Sequence, residues 1–149
     1  MSNKTGSVAS KIIDAAKAVH SKILKHQKPT MTSPIRSLAN VKYQGKTGYF
    51  EMMGKNKQRT LTVGTVKTFA QTLKMMALSK ELIDADNMAT KREAYYISKN
   101  WGKAMFDEQP ESDTVMDDIE AMFGVNREQL KFIPEEKGGD VAGKLIVFD

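Results

Sequence analysis

Three segments of this chain place apolar residues at three- and four-residue steps, the spacing that collects side chains on one face of a helix. In the first segment these positions are Val8, Ile12, Val19 and Ile23. The predicted helices cover residues 8–27, 65–84 and about 113–123. The spacing therefore predicts an α+β protein that is mainly α-helical.

The ends of these helices carry capping residues. Ser7 is predicted to be the N-cap of the first helix, with the polar residues 1–7 before it disordered. Ser112 or Asp113 is predicted to cap the last helix, and Gly124 to end it.

Shorter segments combine β-prone residues with glycine turns. They predict a hairpin over residues 41–53 with its turn at 45–48, a basic loop at 54–59, a short strand at 60–63 and a ribbon over 132–148. The order of three helices followed by a ribbon is that of a winged helix-turn-helix domain. We therefore expect an N-terminal extension over residues 1–29 and a winged-helix domain over residues 30–149.

Thr90 and Glu93 form the sequence pattern of a capping box, which predicts a helix from residue 91 to about residue 100. Three- and four-residue spacing places Arg92, Tyr96 and Lys99 on one side of that helix. Tyr95 is rotated about 100° away and is predicted to point toward the core.

A phenol with cations on both sides suits an anionic substrate, and positive neighbours favour the nucleophilic phenolate. The alternative is structural, because two adjacent tyrosines on a helix are usually one core residue and one amphipathic surface residue. Helical spacing alone leaves both interpretations open.

Charge is divided unevenly along the chain. Residues 1–80 contain 15 basic and 2 acidic residues, and residues 81–149 contain 8 basic and 16 acidic residues. The basic half indicates a surface for nucleic acid or an acidic partner, unless its lysines only solubilise exposed faces.

Several classes of protein are excluded or disfavoured. There is no cysteine, which excludes disulfides and thiolate catalysis, and no apolar run long enough for a membrane span. The basic loop lacks the ending of a nucleotide-binding P-loop. His20 and His26 lack the spacing of a helical metal pair, and Asp84 and Asp86 lack a third acidic partner, so no metal site is predicted.

Five blocks in the same order carry a family resemblance: residues 34–41, 67–76, 90–96, 101–106 and 111–120. They resemble the N-terminal region of the A subunit of archaeal DNA topoisomerase VI, whose family includes the meiotic double-strand-break transesterases. The resemblance covers nearly the whole chain and implies a winged helix of the catabolite-activator-protein type.

The resemblance also implies roles for individual residues. Tyr96 would attack the DNA backbone and form a 5′-phosphotyrosyl link, and Arg92 would stabilise the developing charge. Tyr95 is the weaker nucleophile candidate. Lys91, Lys99 and Arg36 are expected to contact DNA.

Partners and cofactors follow from the same resemblance. The A subunit is expected to form a homodimer in an A2B2 assembly, with residues 8–27 contacting the B subunit, which binds ATP. Mg²⁺ is expected in a Toprim domain that this chain is not expected to contain, so we expect poor cleavage by the chain alone. Deletion of residues 1–28 is expected to leave a folded core. The expected location is cytoplasmic, at the nucleoid.

Two other functions remain open at this point. One is a non-catalytic winged-helix DNA-binding protein, and the other is a structural adaptor for the B subunit. A nucleophilic Tyr96 should be exposed beside Arg92, whereas a structural Tyr96 should be buried.

Overall fold

The computed structural model describes residues 3–46 and 48–133. Four α-helices dominate this part of the chain: α1 Asn3–Leu24, α2 Val66–Asp84, α3 Lys91–Ser98 and α4 Gln109–Phe123. Short 3-10 turns lie at Leu38–Asn40, Gly102–Ala104 and Arg127–Leu130. The predicted α+β class with mainly helical content is therefore confirmed.

Six short strands form three two-stranded pairs within the described residues. The strands are β1 Thr30–Pro34, β2 Val41–Gln44, β3 Tyr49–Met52, β4 Asn56–Thr60, β5 Ala89–Thr90 and β6 Phe132–Ile133. β1 pairs with β4 and β2 with β3, both antiparallel, while β5 and β6 are parallel. The β2–β3 hairpin is thus inserted between the two strands of the β1–β4 pair.

Asn40 fixes the point where the hairpin leaves the β1–β4 pair. Its side chain is fully buried and donates to the carbonyls of Ile35 at 2.8 Å and Lys55 at 2.9 Å. It also accepts from the Lys55 N–H at 3.0 Å. A buried amide with these partners is satisfied, and it ties the two ends of the inserted hairpin together.

The hairpin at residues 41–53 is confirmed, but the basic loop predicted at residues 54–59 is wrong. Residues 56–60 form β4, and the strand predicted at 60–63 is absent beyond Thr60. The first residues of β4 are exposed and polar, so the strand lacks the apolar alternation by which half-buried strands are recognised. Its pairing with β1, more than 20 residues earlier, determines its conformation.

Two predicted helix starts are also wrong. α1 already begins at Asn3, so Ser7 lies inside the helix. α4 begins at Gln109, with Pro110 in the first turn, where its missing N–H has no intrahelical partner to lose. Ser112 is consequently a fully buried helical residue, whereas Gly124 ends the helix in the left-handed region as predicted.

α1 belongs to the same core as the other helices. Val8, Ile12 and Val19 are 1%, 4% and 5% exposed. They belong to one cluster with residues of the other elements, among them Phe69, Met76, Phe106, Met116, Ile119, Leu130 and Phe132. This packing opposes the expectation that a folded core remains when residues 1–28 are deleted.

Only the beginning of the predicted C-terminal ribbon falls within the described residues. Phe132 and Ile133 form β6, which pairs in parallel with β5. The rest of that ribbon, including Gly138 and Gly139, lies outside the described residues. Across residues 3–46 and 48–133, no helix has the length and apolar character needed to cross a membrane.

Candidate functional site

α3 is anchored at its first turn by the predicted capping box. The Thr90 hydroxyl accepts the Glu93 N–H at 3.0 Å, and the Glu93 carboxylate accepts the Thr90 N–H at 2.6 Å. These bonds from Thr90 lower the pKa of Glu93. The buried faces of Ala94 and Ser98 then fix the rotation of the helix about its axis.

Arg92 and Tyr96 lie side by side on the exposed face of α3, as their four-residue spacing predicts. The Arg92 Nη2 lies 3.4 Å from the Tyr96 Oη, and the guanidinium carbon lies 5.7 Å from the ring centroid. Tyr96 is 54% exposed. The second tyrosine is therefore an accessible phenol with a cation next to its oxygen.

Tyr95 has different surroundings, because it is half-buried against the core. Its hydroxyl donates to the Asp107 carbonyl at 3.1 Å, and its ring centroid lies 5.4 Å from that of Tyr96. The Lys99 ammonium lies 4.2 Å from the Tyr95 ring centroid and donates to the Phe106 carbonyl at 2.6 Å. The predicted placement of Lys99 beside Tyr96 is thus wrong: Lys99 flanks the first tyrosine.

The other two basic residues predicted to contact DNA form ion pairs with α4. Lys91 pairs with Asp113 at 2.5 Å, and Arg36 pairs with Asp117 at 2.8 Å and Asp118 at 3.1 Å. Both cations therefore have internal partners. Their role in DNA contact remains a prediction, and a phosphate would have to compete with these carboxylates.

Asp118 gathers further basic residues at the junction of α4 with the β1–β4 pair. It is 3% exposed, receives two hydrogen bonds from Lys57 at 3.0 and 3.1 Å, and lies 3.6 Å from Arg59. A buried carboxylate requires such partners. The sequence did not predict the ion pairs of Asp113 and Asp118, because their partners lie 22 to 82 positions away and no local pattern marks these contacts.

The described residues do not fit a magnesium site. Among them, no group of three or more His, Asp or Glu side chains is arranged to hold a metal ion. Asp84 pairs with Lys80, and Asp86 pairs with Lys131 at 2.7 Å, a hydrogen bond that lowers the pKa of Asp86. Their carboxylates are thus engaged by lysines.

Comparison with known proteins gives a consistent result. A sequence model described as type IIB DNA topoisomerase matches residues 67–132, which include α3. A protein of Methanocaldococcus jannaschii, named as the A subunit of type 2 DNA topoisomerase 6, is 49% identical over 139 residues, which is 93% of this chain and 38% of that protein.

Two further archaeal proteins with the same name are similar to this chain. The protein of Archaeoglobus fulgidus is 43% identical over 86 residues, covering 56% of this chain and 24% of the relative. That of Pyrococcus abyssi is 31% identical over 147 residues, covering 95% of this chain and 38% of the relative. The chain thus spans less than two fifths of the length of these relatives.

Proposed function

The chain belongs to the type IIB DNA topoisomerase family, in which it matches the N-terminal region of the A subunit, and we propose that it carries the tyrosine that cleaves DNA. The proposal assigns the nucleophile to Tyr96 and charge stabilisation to Arg92. The observation that carries it is the exposed Tyr96 hydroxyl with the Arg92 guanidinium 3.4 Å away.

The chemical step proposed for these two groups is the one that the family resemblance implies. The Tyr96 oxygen loses its proton and forms a bond to a backbone phosphorus, while the bond from phosphorus to the 3′ oxygen breaks. The products are a 5′-phosphotyrosyl link and a free 3′ hydroxyl, which reverses the reaction by attacking the same phosphorus. Arg92 is proposed to donate to the phosphate oxygens as negative charge develops, which its position 3.4 Å from the Tyr96 hydroxyl supports.

Tyr95 is a poorer nucleophile on the same geometry. Its hydroxyl already donates to a backbone carbonyl, and its ring is half-buried under Lys99. An in-line attack needs an oxygen that approaches a phosphate from solvent. Tyr96 meets that requirement in this structure, and this supports the choice of the second tyrosine.

DNA contact and the winged-helix arrangement belong to the same proposal. α2, α3 and α4 follow one another in the order expected for such a domain, and α4 packs against both other helices. Lys91, Lys99 and Arg36 are proposed to contact the DNA backbone. To contact DNA, Lys91 and Arg36 would have to leave their carboxylate partners on α4 and bind a phosphate instead.

The B subunit is proposed to bind the exposed side of α1. Ile13, Ile23 and Leu24 are 38%, 49% and 66% exposed on this helix, whose other face is buried in the core. An amphipathic helix with apolar residues on its outer side is suited to a protein partner. ATP binding is proposed for the B subunit, and Mg²⁺ dependence for the whole assembly.

The test uses a chimera in which this chain replaces the matching 38% of the Methanocaldococcus jannaschii relative. With the B subunit, duplex DNA, ATP and Mg²⁺, we expect a denaturant-stable protein–DNA adduct. Tyr96→Phe should abolish the adduct and keep DNA binding, while Tyr43→Phe, at another exposed tyrosine, should keep both. An adduct that persists in Tyr96→Phe contradicts the proposal. Salt-sensitive DNA binding without any adduct would favour a non-catalytic DNA-binding protein.

A further inference from the structure

The segment that follows the 3-10 turn Gly102–Ala104, residues 105–107, is held by side chains of α2. We call it the connecting segment. Gln71 donates to the Met105 carbonyl at 3.1 Å, and Lys67 pairs with the Asp107 carboxylate at 2.6 Å. The hydrogen bond between Lys67 and Asp107 lowers the pKa of Asp107 and raises that of Lys67.

α3 binds the same segment from its C-terminal half. Tyr95 donates to the Asp107 carbonyl at 3.1 Å, and Lys99 donates to the carbonyls of Phe106 at 2.6 Å and Asp107 at 3.3 Å. Ser98 accepts the Phe106 N–H at 3.4 Å. Phe106 itself is fully buried. The connecting segment is therefore held in place and can support the side chains that bind it.

Tyr95 contacts both the connecting segment and Tyr96. The Lys99 ammonium lies 4.2 Å from its ring centroid, and the Tyr96 ring lies 5.4 Å away at an interplanar angle of 52°. Such a tilted arrangement is one that aromatic pairs prefer. Arg92 contacts the Tyr96 ring as well, at 5.7 Å. The exposed Tyr96 ring therefore has a neighbouring aromatic ring and a neighbouring guanidinium.

We propose that Tyr95 and Lys99 are positioning residues that hold the Tyr96 side chain in one rotamer, an inference that rests on the proposed role of Tyr96 as nucleophile. Long side chains on a helix adopt one of two χ1 values, and an exposed tyrosine would otherwise exchange between them. The packing of Tyr95 against the core and the Lys99 ammonium over its ring immobilise the Tyr95 ring. Tyr95 then positions Tyr96 and does not act as an alternative nucleophile.

The first test measures the χ1 rotamer populations of Tyr96 by three-bond NMR couplings in the labelled 149-residue chain. We expect one dominant rotamer in the unsubstituted protein and in Tyr95→Phe, which keeps the ring. Tyr95→Leu and Lys99→Met should each produce rotamer averaging at Tyr96. Lys103→Met, which removes an exposed lysine from the neighbouring 3-10 turn, is the matched control and should have no effect.

Two NMR results would overturn the inference. One is averaging of Tyr96 in the unsubstituted protein. The other is a single Tyr96 rotamer that survives in folded Lys99→Met and Tyr95→Leu. Because Lys99→Met alters only an exposed side chain, it keeps the test valid if Tyr95→Leu does not fold. This readout involves no DNA, so it is independent of whether Tyr96 is the nucleophile.

The second test uses the chimeric assembly described above and follows the rate of adduct formation. We expect Tyr95→Leu and Lys99→Met to form the adduct about 2- to 3-fold more slowly, because averaging leaves the reactive Tyr96 rotamer in only part of the population. Lys99→Arg, which keeps a cation over the ring, should restore most of the rate. Unchanged rates in both variants would contradict positioning, whereas an adduct at a residue other than Tyr96 would contradict the proposed function.

Discussion

Tyr95 and Tyr96 are chemically identical, and a rotation of about 100° around α3 gives them different surroundings. Tyr95 is half-buried with its hydroxyl bonded to the Asp107 carbonyl, and Tyr96 is 54% exposed beside Arg92. The rotation itself is fixed by Ala94 and Ser98, which are buried on the inner face. The burial of the small residues Ala94 and Ser98 thus determines which of the two tyrosine side chains is exposed to solvent.

Glu93 should make the stability of α3 depend on pH. Its pKa is lower in the folded protein than in the unfolded chain, because the Thr90 backbone N–H donates to its carboxylate. A lowered carboxyl pKa contributes stability that is complete above the unfolded value and is lost as pH falls through the folded value. We therefore expect the free energy of unfolding of the unsubstituted protein to exceed that of Glu93→Gln by less in acid than at neutral pH.

The measurement is urea unfolding of both proteins between pH 7 and the acid range. Glu81→Gln, at an exposed carboxylate of α2, is the matched control. The difference in free energy of unfolding between the unsubstituted protein and Glu93→Gln should be constant near neutral pH and fall in acid. A difference that is independent of pH, or one that Glu81→Gln reproduces, would contradict this role of Glu93.

Local patterns allowed part of the site to be predicted from the sequence. The capping box of Thr90 and Glu93 and the Arg92–Tyr96 neighbour relation depend on residues three or four positions apart, which helix geometry specifies. The partner of Lys99 could not be predicted in this way. It is a backbone carbonyl in a segment whose path is set by its packing against α2.

At the scale of elements, the long helices were predictable because each buries one apolar stripe, whereas β1 and β4 were not. β4 begins with exposed polar residues, and only its pairing with β1 and the convergence of Lys57 and Arg59 on buried Asp118 show its place. Helix starts were misplaced where a cap-type residue such as Ser7 or Ser112 lies within a helix. Capping preference describes a residue type and is overridden by packing.

α1 provides a direct test of whether the N-terminal helix belongs to the core. Ile12 is 4% exposed and Ile23 is 49% exposed on the same helix. We expect Ile12→Ala to lower the free energy of unfolding by about 2–4 kcal/mol, because it removes buried methylene groups and leaves a cavity. Ile23→Ala, the matched control, should change it by less than about 1 kcal/mol.

Urea unfolding monitored by circular dichroism provides these values. Equal effects of the two substitutions would show that α1 does not pack as described. A second measurement, of association with the B subunit, separates stability from partner binding. If the exposed side of α1 is the contact, Ile23→Ala should weaken this association. Folded Ile12→Ala protein should associate as the unsubstituted protein does.

Across the whole molecule, the basic and acidic halves of the sequence are joined by ion pairs. Arg36, Lys57 and Arg59 from the basic half converge on α4 of the acidic half, and Lys67 reaches Asp107. These four of the 15 basic residues in that half therefore have carboxylate partners within the fold. A DNA-binding surface must be formed by cations that are exposed or that can exchange carboxylate for phosphate.

Lys91 and Asp113 permit a test of that exchange with two substitutions of opposite effect. If Lys91 contacts a DNA phosphate, Lys91→Gln should weaken duplex binding and reduce the slope of log affinity against log salt by about 0.9, the value for one phosphate contact. Asp113→Asn should tighten binding, because it removes the carboxylate that pairs with Lys91 at 2.5 Å. The measurement is fluorescence anisotropy over a series of salt concentrations.

The control is an ion pair within α2, formed by Lys80 and Asp84, which carries no proposed DNA contact. Lys80→Gln and Asp84→Asn change the net charge by the same amounts as the Lys91 and Asp113 substitutions. If they shift affinity and slope equally, binding reflects overall charge and not a site at α3. If the unsubstituted protein shows no salt-sensitive affinity at all, the adaptor function is favoured, because phosphate contacts release counterions and so require a salt dependence.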